Sequence, residues 1–201
     1  MLKNIVVATL VAVILGAGSI ATAVDLQELT KGKEKVTRNG VDFWIEPNSP
    51  IKKEVLNGEF DNMAQKLISE TDKEKRQARM SPANPLNKVH ISEVTSSQGG
   101  TEEIAYRQGA TKNDHGGSAF KVKTVISGFG CIADTAQFNK RFVKRINSIL
   151  IVPSGSNIAT GCIDTRDLSG QFQNGNFIFT AKNSSGNVNY PKQIVESLFI
   201  K

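Results

Sequence analysis

Residues 131–162 read CIADTAQFNKRFVKRINSILIVPSGSNIATGC, and how this stretch folds decides the architecture. Both cysteines of the chain bound it, and no acidic residue falls between Asp134 and Asp164. Asp134-Thr-Ala-Gln137 has the form of a capping box, in which an acidic first residue and a glutamine three positions on satisfy the free amides of a helix start. Phe138, Phe142 and Ile146 then recur every four residues, which predicts a helix with a buried apolar stripe. Lys140 with Lys144, and Arg141 with Arg145, form two like-charged i,i+4 pairs away from that stripe. Such pairs cost a few tenths of a kcal/mol each in an isolated helix, so solvent, an acid from elsewhere or a ligand must compensate. Ser148-Ile-Leu-Ile-Val152 predicts a buried strand, stopped at Pro153-Ser-Gly155, and 157–162 a strand or turn that closes the unit.

Two cysteines in an exported chain predict one disulfide, Cys131–Cys162. It would close a loop of about 30 residues and stabilise the fold by about 3.7 kcal/mol on the chain-entropy estimate.

Export is itself expected from the N-terminus. Lys3 precedes an apolar run over 5–18, and Ala21 and Ala23 supply the small residues of a signal-peptidase site, so residues 1–23 read as a cleaved signal peptide. The competing reading is a retained anchor, since about 20 apolar residues suffice to cross a bilayer. Thr9, Gly16, Gly18, Ser19 and Thr22 dilute the far end and favour cleavage. No further span is expected after residue 23. The remaining 24–201 is one exported domain by length, with a hairpin and helix layer over 24–80 and a β-rich part over 86–201. A chain that is 39% hydrophobic and 22% charged is typical of folded globular proteins. The net charge of +6 permits anionic partners without demanding them.

Along the rest of the chain, Asn39-Gly40 between two alternating runs predicts a hairpin over 34–46. Ser49-Pro50 opens a helix whose apolar face runs from Ile51 to Ile68, with Gly58 able to split it. Its charged extension over 69–80 reads as solvated, and two prolines over 81–85 end it. Strands are expected around Val89 and Ile91, at 104–106 and over 120–126, with 108–118 as a mobile loop. Asp164 to Ser169 reads as a polar connection and Asn174-Gly175 as a second hairpin turn; the C-terminal segment reads as a helix or a strand. The fold class is α+β: a mostly antiparallel sheet with an N-terminal amphipathic helix and a second helix inside a disulfide-closed loop.

No catalytic set stands out. His115-Gly-Gly-Ser118 resembles an oxyanion loop but lacks a nucleophile elbow, and His90 lies on a strand face opposite Val89 and Ile91. Two histidines and two distant cysteines offer no zinc spacing, no phosphate loop is present, and nothing selects a carboxylate pair. No cofactor or metal is expected, and the balance leans away from an enzyme. The expected function is a periplasmic or secreted, non-catalytic binding or assembly protein of a bacterial cell envelope or a secretion or pilus-type apparatus. It would meet an acidic protein or other anionic surface through Lys140, Arg141, Lys144 and Arg145. Nucleic acid is disfavoured because Phe138 and Phe142 are assigned to the buried stripe. The alternative is a secreted hydrolase or toxin with its site in the 108–118 loop.

Overall fold

Asn39 and Gly40 both take positive φ, at 49° and 74°, and so make the tight primed turn their sequence favours. They join β1 (Glu34–Arg38) to β2 (Val41–Ile45) in register, with Arg38 opposite Val41. The computed structural model describes residues 26–75, 86–128, 133–183 and 192–201, with side chains of 72–75 excepted. The signal-peptide segment, the proline break and Cys131 therefore lie outside the described residues.

A short helix α1 (Leu26–Thr30) precedes the hairpin. After it, α2 (Ile51–Asn57) and α3 (Asp61–Lys75) are separated at Gly58, whose φ of 83° closes the first helix in the left-handed region. Glycine reaches that conformation at little steric cost. Ser49 does not cap α2; its hydroxyl donates to Asn147 Oδ1 at 2.9 Å.

Seven strands form one antiparallel sheet in the order β1-β2-β8-β9-β5-β3-β4. Its later members are β3 (Lys88–Ser96), β4 (Gly100–Glu103), β5 (Phe120–Ser127), β8 (Arg145–Pro153) and β9 (Gly161–Asp167). A second antiparallel sheet has the order β11-β10-β6-β7, from β6 (Asp134–Phe138), β7 (Arg141–Phe142), β10 (Gly175–Lys182) and β11 (Gln193–Ile200). The large sheet is the middle layer. Its Phe43, Ile45, Ile149, Ile151 and Ile163 pack against Ile51, Val55, Phe60, Ala64 and Leu67 of the helical layer. On the other face Val89, Ile91, Val122 and Ile126 meet Phe138, Phe177, Phe179 and Leu198 of the small sheet. Full burial of each such valine, leucine, isoleucine or phenylalanine side chain is worth roughly 1.5–3 kcal/mol. The sheet-rich α+β architecture and the N-terminal amphipathic helix are as the sequence predicts.

The second helix is not. Residues 134–146 form β6, a turn, β7 and the start of β8. Asn139 and Lys140 both have positive φ, 49° and 67°, which a helix excludes and a primed turn requires. Alternation replaces the four-residue stripe: Ala136 and Phe138 point inward, whereas Phe142 is 76% exposed and Ile146 37%. Three further expectations change. The polar connection at 164–167 is part of β9, paired on both sides with β5 and β8. Gly175 begins β10 rather than making a turn. The return strand expected at 104–106 lies instead at Gly100–Glu103, β4, while the C-terminal segment takes the strand of its two readings, β11.

Candidate functional site

The four predicted cations separate. Lys140 sits in the β6–β7 turn, with Arg141 and Lys144 close behind it, all three exposed. Arg145 turns toward the space between the sheets, where its Nη1 lies 2.9 Å from Asp134 Oδ2 and 3.5 Å from Asp164 Oδ2. Arg166, only 4% exposed, completes the group: its Nη2 contacts Asp134 Oδ1 and lies 3.6 Å from Asp164 Oδ2. Asp164 and Arg166 lie on one face of β9 with Cys162, and that face looks across at β6. The Arg166 guanidinium also stands 5.5 Å from the Phe179 ring centroid. Burial raises the Asp164 carboxyl above its ordinary range, opposed by Arg145 and Ser148. Burial likewise pulls Arg166 down to about 10. The acids that compensate Arg145 are therefore the two that flank the basic stretch.

Of the three remaining cations, Lys140 sits in the turn next to Asn139, and Asn139, Arg141 and Lys144 line a groove of about 600 Å³. Its apolar floor is Phe138 and Leu168, both buried, with half-buried Val143 beside them. Arg141, Phe142 and Lys144 line it from β7 and the residues after it, and Gly170, Gln171, Phe172 and Gln173 from the connection between β9 and β10. Phe142 and Phe172 are 76% and 73% exposed, the two most exposed large apolar side chains among the described residues. Asp167 is the one acid lining the groove among the described residues. The Ser169 hydroxyl and backbone N–H lower its pKa, against a smaller opposing effect of burial, and Lys121 and Lys144 add to the lowering. The β6–β7 turn is held from below, because Asn139 Oδ1 accepts from the Asn176 N–H at 3.2 Å. A Cβ at Gly175 would stand 2.1 Å from that same oxygen, so only glycine admits the Asn139 side chain there. The groove thus joins net positive charge to solvent-facing aromatic rings and side-chain amides. The sequence pointed to the cations but hid Phe142 in a presumed stripe and did not single out Phe172.

The 108–118 loop is irregular, as predicted, but is tied down. Ala110 bridges Phe199 in parallel, and the His115 N–H donates to the Lys201 carbonyl. Glu102 accepts the backbone N–H groups of Lys112 at 2.8 Å and Asn113 at 2.9 Å, and Gln108 Nε2 at 3.1 Å. Burial works to raise the Glu102 pKa, but these hydrogen bonds prevail and hold it below the usual value. His115 is buried, its Nδ1 3.0 Å from Ser96 Oγ and its Nε2 3.4 Å from Glu102 Oε2. The Ser96 hydroxyl, itself buried, also accepts the Gly99 N–H at 2.8 Å. This trio staples a loop to a strand. His90 is half-buried rather than on the surface, edge-on to Tyr106 and 3.6 Å from Glu196. It lines a separate cleft of about 310 Å³ between α3 and the sheet.

Among the described residues, no three His, Cys, Asp or Glu side chains converge to hold a metal ion, and no helix is long and apolar enough to cross a membrane. Residues 81–199, more than half of the chain, match a family described as Domain of unknown function (DUF4879). The chain belongs to that family. The DUF4879 match takes in β3 to β11, and with them the groove, the ionic cluster and the stapled loop. The β1–β2 hairpin lies outside the DUF4879 match, yet β2 hydrogen-bonds to β8 within the same sheet. No curated protein and no solved structure matches the sequence.

Proposed function

We propose that this protein is an exported, non-catalytic binding or assembly component of the cell envelope. It meets an acidic partner through Lys140, Arg141 and Lys144 on the β6–β7 hairpin, in place of the helix expected from sequence. The observation that carries this reading is the groove, where exposed Arg141 and Lys144 stand with two exposed phenylalanines, and exposed Lys140 lies in the adjoining turn. Export rests on the signal-peptide pattern of residues 1–23. A Cys131–Cys162 disulfide belongs to the same proposal, supported by the oxidising destination of an exported chain and by a Cys162 that is buried and not free. Intact mass with and without reductant tests it.

Alanine at Lys140, Arg141 and Lys144 should abolish retention on immobilised polyglutamate at low salt and leave the thermal transition in place. Arg145 stays native in this variant because it holds the ionic cluster. Retention of the triple variant equal to wild type refutes the reading.

A hydrolase site at the 108–118 loop is the second reading, favoured by the Ser96–His115–Glu102 hydrogen bonds. The burial of both the serine and the imidazole stands against it, since a substrate must reach the nucleophile. A broad ester and amide screen decides: turnover that disappears in His115→Ala supports this reading, and unchanged or absent turnover removes it.

A further inference from the structure

We infer that the occupant of the groove is an extended acidic peptide segment of a partner protein that carries one apolar anchor side chain. This rests on the binding reading above and adds to it a ligand class with two separable requirements. Charge supplies the first. Arg141 and Lys144 outnumber Asp167, the one acid among the described lining residues, and Lys140 adds positive charge from the adjoining turn, so carboxylates on the ligand are attracted and oriented.

The rings supply the second requirement. Phe142 and Phe172 face solvent over a floor of buried Phe138 and Leu168, so the groove has an apolar bottom that charge alone does not use. A leucine or phenylalanine seated there removes apolar surface of both partners from water, and such central anchors dominate the energetics of peptide recognition. Gln171 and Gln173, which also line the groove, each carry an amide donor and acceptor, which match the alternating groups of an extended backbone.

A single-stranded nucleic acid is the competing occupant, because cations and aromatic rings also serve stacked bases. Asp167 argues against it. Its carboxyl is held in the charged form by Ser169, and it lies inside the groove where a continuous phosphate chain would have to pass. A peptide can place uncharged residues beside it.

The test uses the chain from residue 24 onward and fluorescently labelled synthetic probes at low salt. One probe alternates glutamate and glycine around a central leucine; a second has serine for the leucine; a third has glutamine for every glutamate; a fourth is oligothymidylate. The leucine probe should bind about tenfold tighter than the serine probe, the scale of burying one aliphatic side chain after ordering costs. Phe142→Ser with Phe172→Ser should erase that advantage and leave the salt-dependent affinity for the serine probe. Both positions are exposed, so an unchanged thermal transition shows that the variant is folded. Equal binding of the leucine and serine probes overturns the anchor while the cationic reading stands. No binding of either acidic probe overturns both, and tighter binding of oligothymidylate than of the leucine probe makes the partner a nucleic acid.

Discussion

Replacing Arg166 by methionine removes the inner cation of the four-residue cluster while keeping most of its volume. Asp134 and Asp164, whose side chains are only 2% and 0% exposed, would then share Arg145, which is 39% exposed. Removing one partner of a buried ion group costs about 3–5 kcal/mol, because it strands a charge without solvent. The chain can limit this loss by protonating a carboxyl, and Asp164 is already held above its ordinary range. In the variant, a folded carboxyl pKa above the unfolded value means that the folded state keeps its proton longer as pH rises. The excess destabilisation is therefore full at neutral pH and disappears as pH falls toward about 4, the unfolded aspartate value. Urea unfolding of wild type and Arg166→Met across this range measures the gap. Adding Asp134→Leu to Arg166→Met leaves the Arg145–Asp164 pair and should restore all but about 1 kcal/mol, since hydrophobic replacement of a whole buried pair is often neutral. A single-variant loss below about 1 kcal/mol at neutral pH, or a double variant that loses the sum of its parts, refutes the argument.

Glu102→Gln should destabilise by about 1–3 kcal/mol, as charge-assisted bonds to the Lys112 and Asn113 amides become neutral ones. Because the Glu102 pKa is lowered, its contribution is present above the ordinary glutamate value of about 4.3 and is lost as pH falls through the folded value. The wild-type advantage should therefore close in acid, and hydrogen exchange should speed first at residues 111–115. Gly161→Ala is expected to cost about 1–3 kcal/mol by overpacking, read by thermal unfolding, because its Cβ would meet the Ile126 carbonyl oxygen at 2.0 Å.

Much of the architecture is legible where local and tertiary preferences agree. Asn39-Gly40 dictates its turn through backbone conformation alone, and the spacing from Ile51 to Ile68 matches a helical layer that Gly58 divides. Asn174-Gly175 carries the same dipeptide and makes no hairpin. Gly175 is needed instead because Asn139, from another strand pair, occupies the space where a side chain would stand. That requirement is set by a contact 36 positions away and has no local signature. The loop at 108–118 misleads in the opposite sense: it is polar and aperiodic, yet Glu102 and the C-terminal strand supply its hydrogen bonds.

The error at 134–146 and the character of the groove have one cause. Phe138, Phe142 and Ile146 satisfy helical spacing, but Phe138 also satisfies strand alternation with Ala136, and the two patterns place Phe142 on opposite sides of the surface. Helical i,i+4 contacts are local and weak, a few tenths of a kcal/mol each. The strand alternative instead pairs Asp134 to Phe138 with β10, buries Ala136 and Phe138 in the core between the sheets, and gives Asp134 and Asp164 the Arg145 guanidinium, 11 and 19 residues away. Those long-range contacts together select the strand, with Asn139 and Lys140 able to take its turn. Two consequences for function follow together. One cation of the four is withdrawn toward the ionic cluster, and one phenylalanine of the supposed stripe is delivered to solvent beside the other three cations. The objection that no aromatic ring interleaves the basic residues therefore fails, and discrimination between an acidic peptide and a nucleic acid falls to Asp167, which is why oligothymidylate stands among the probes.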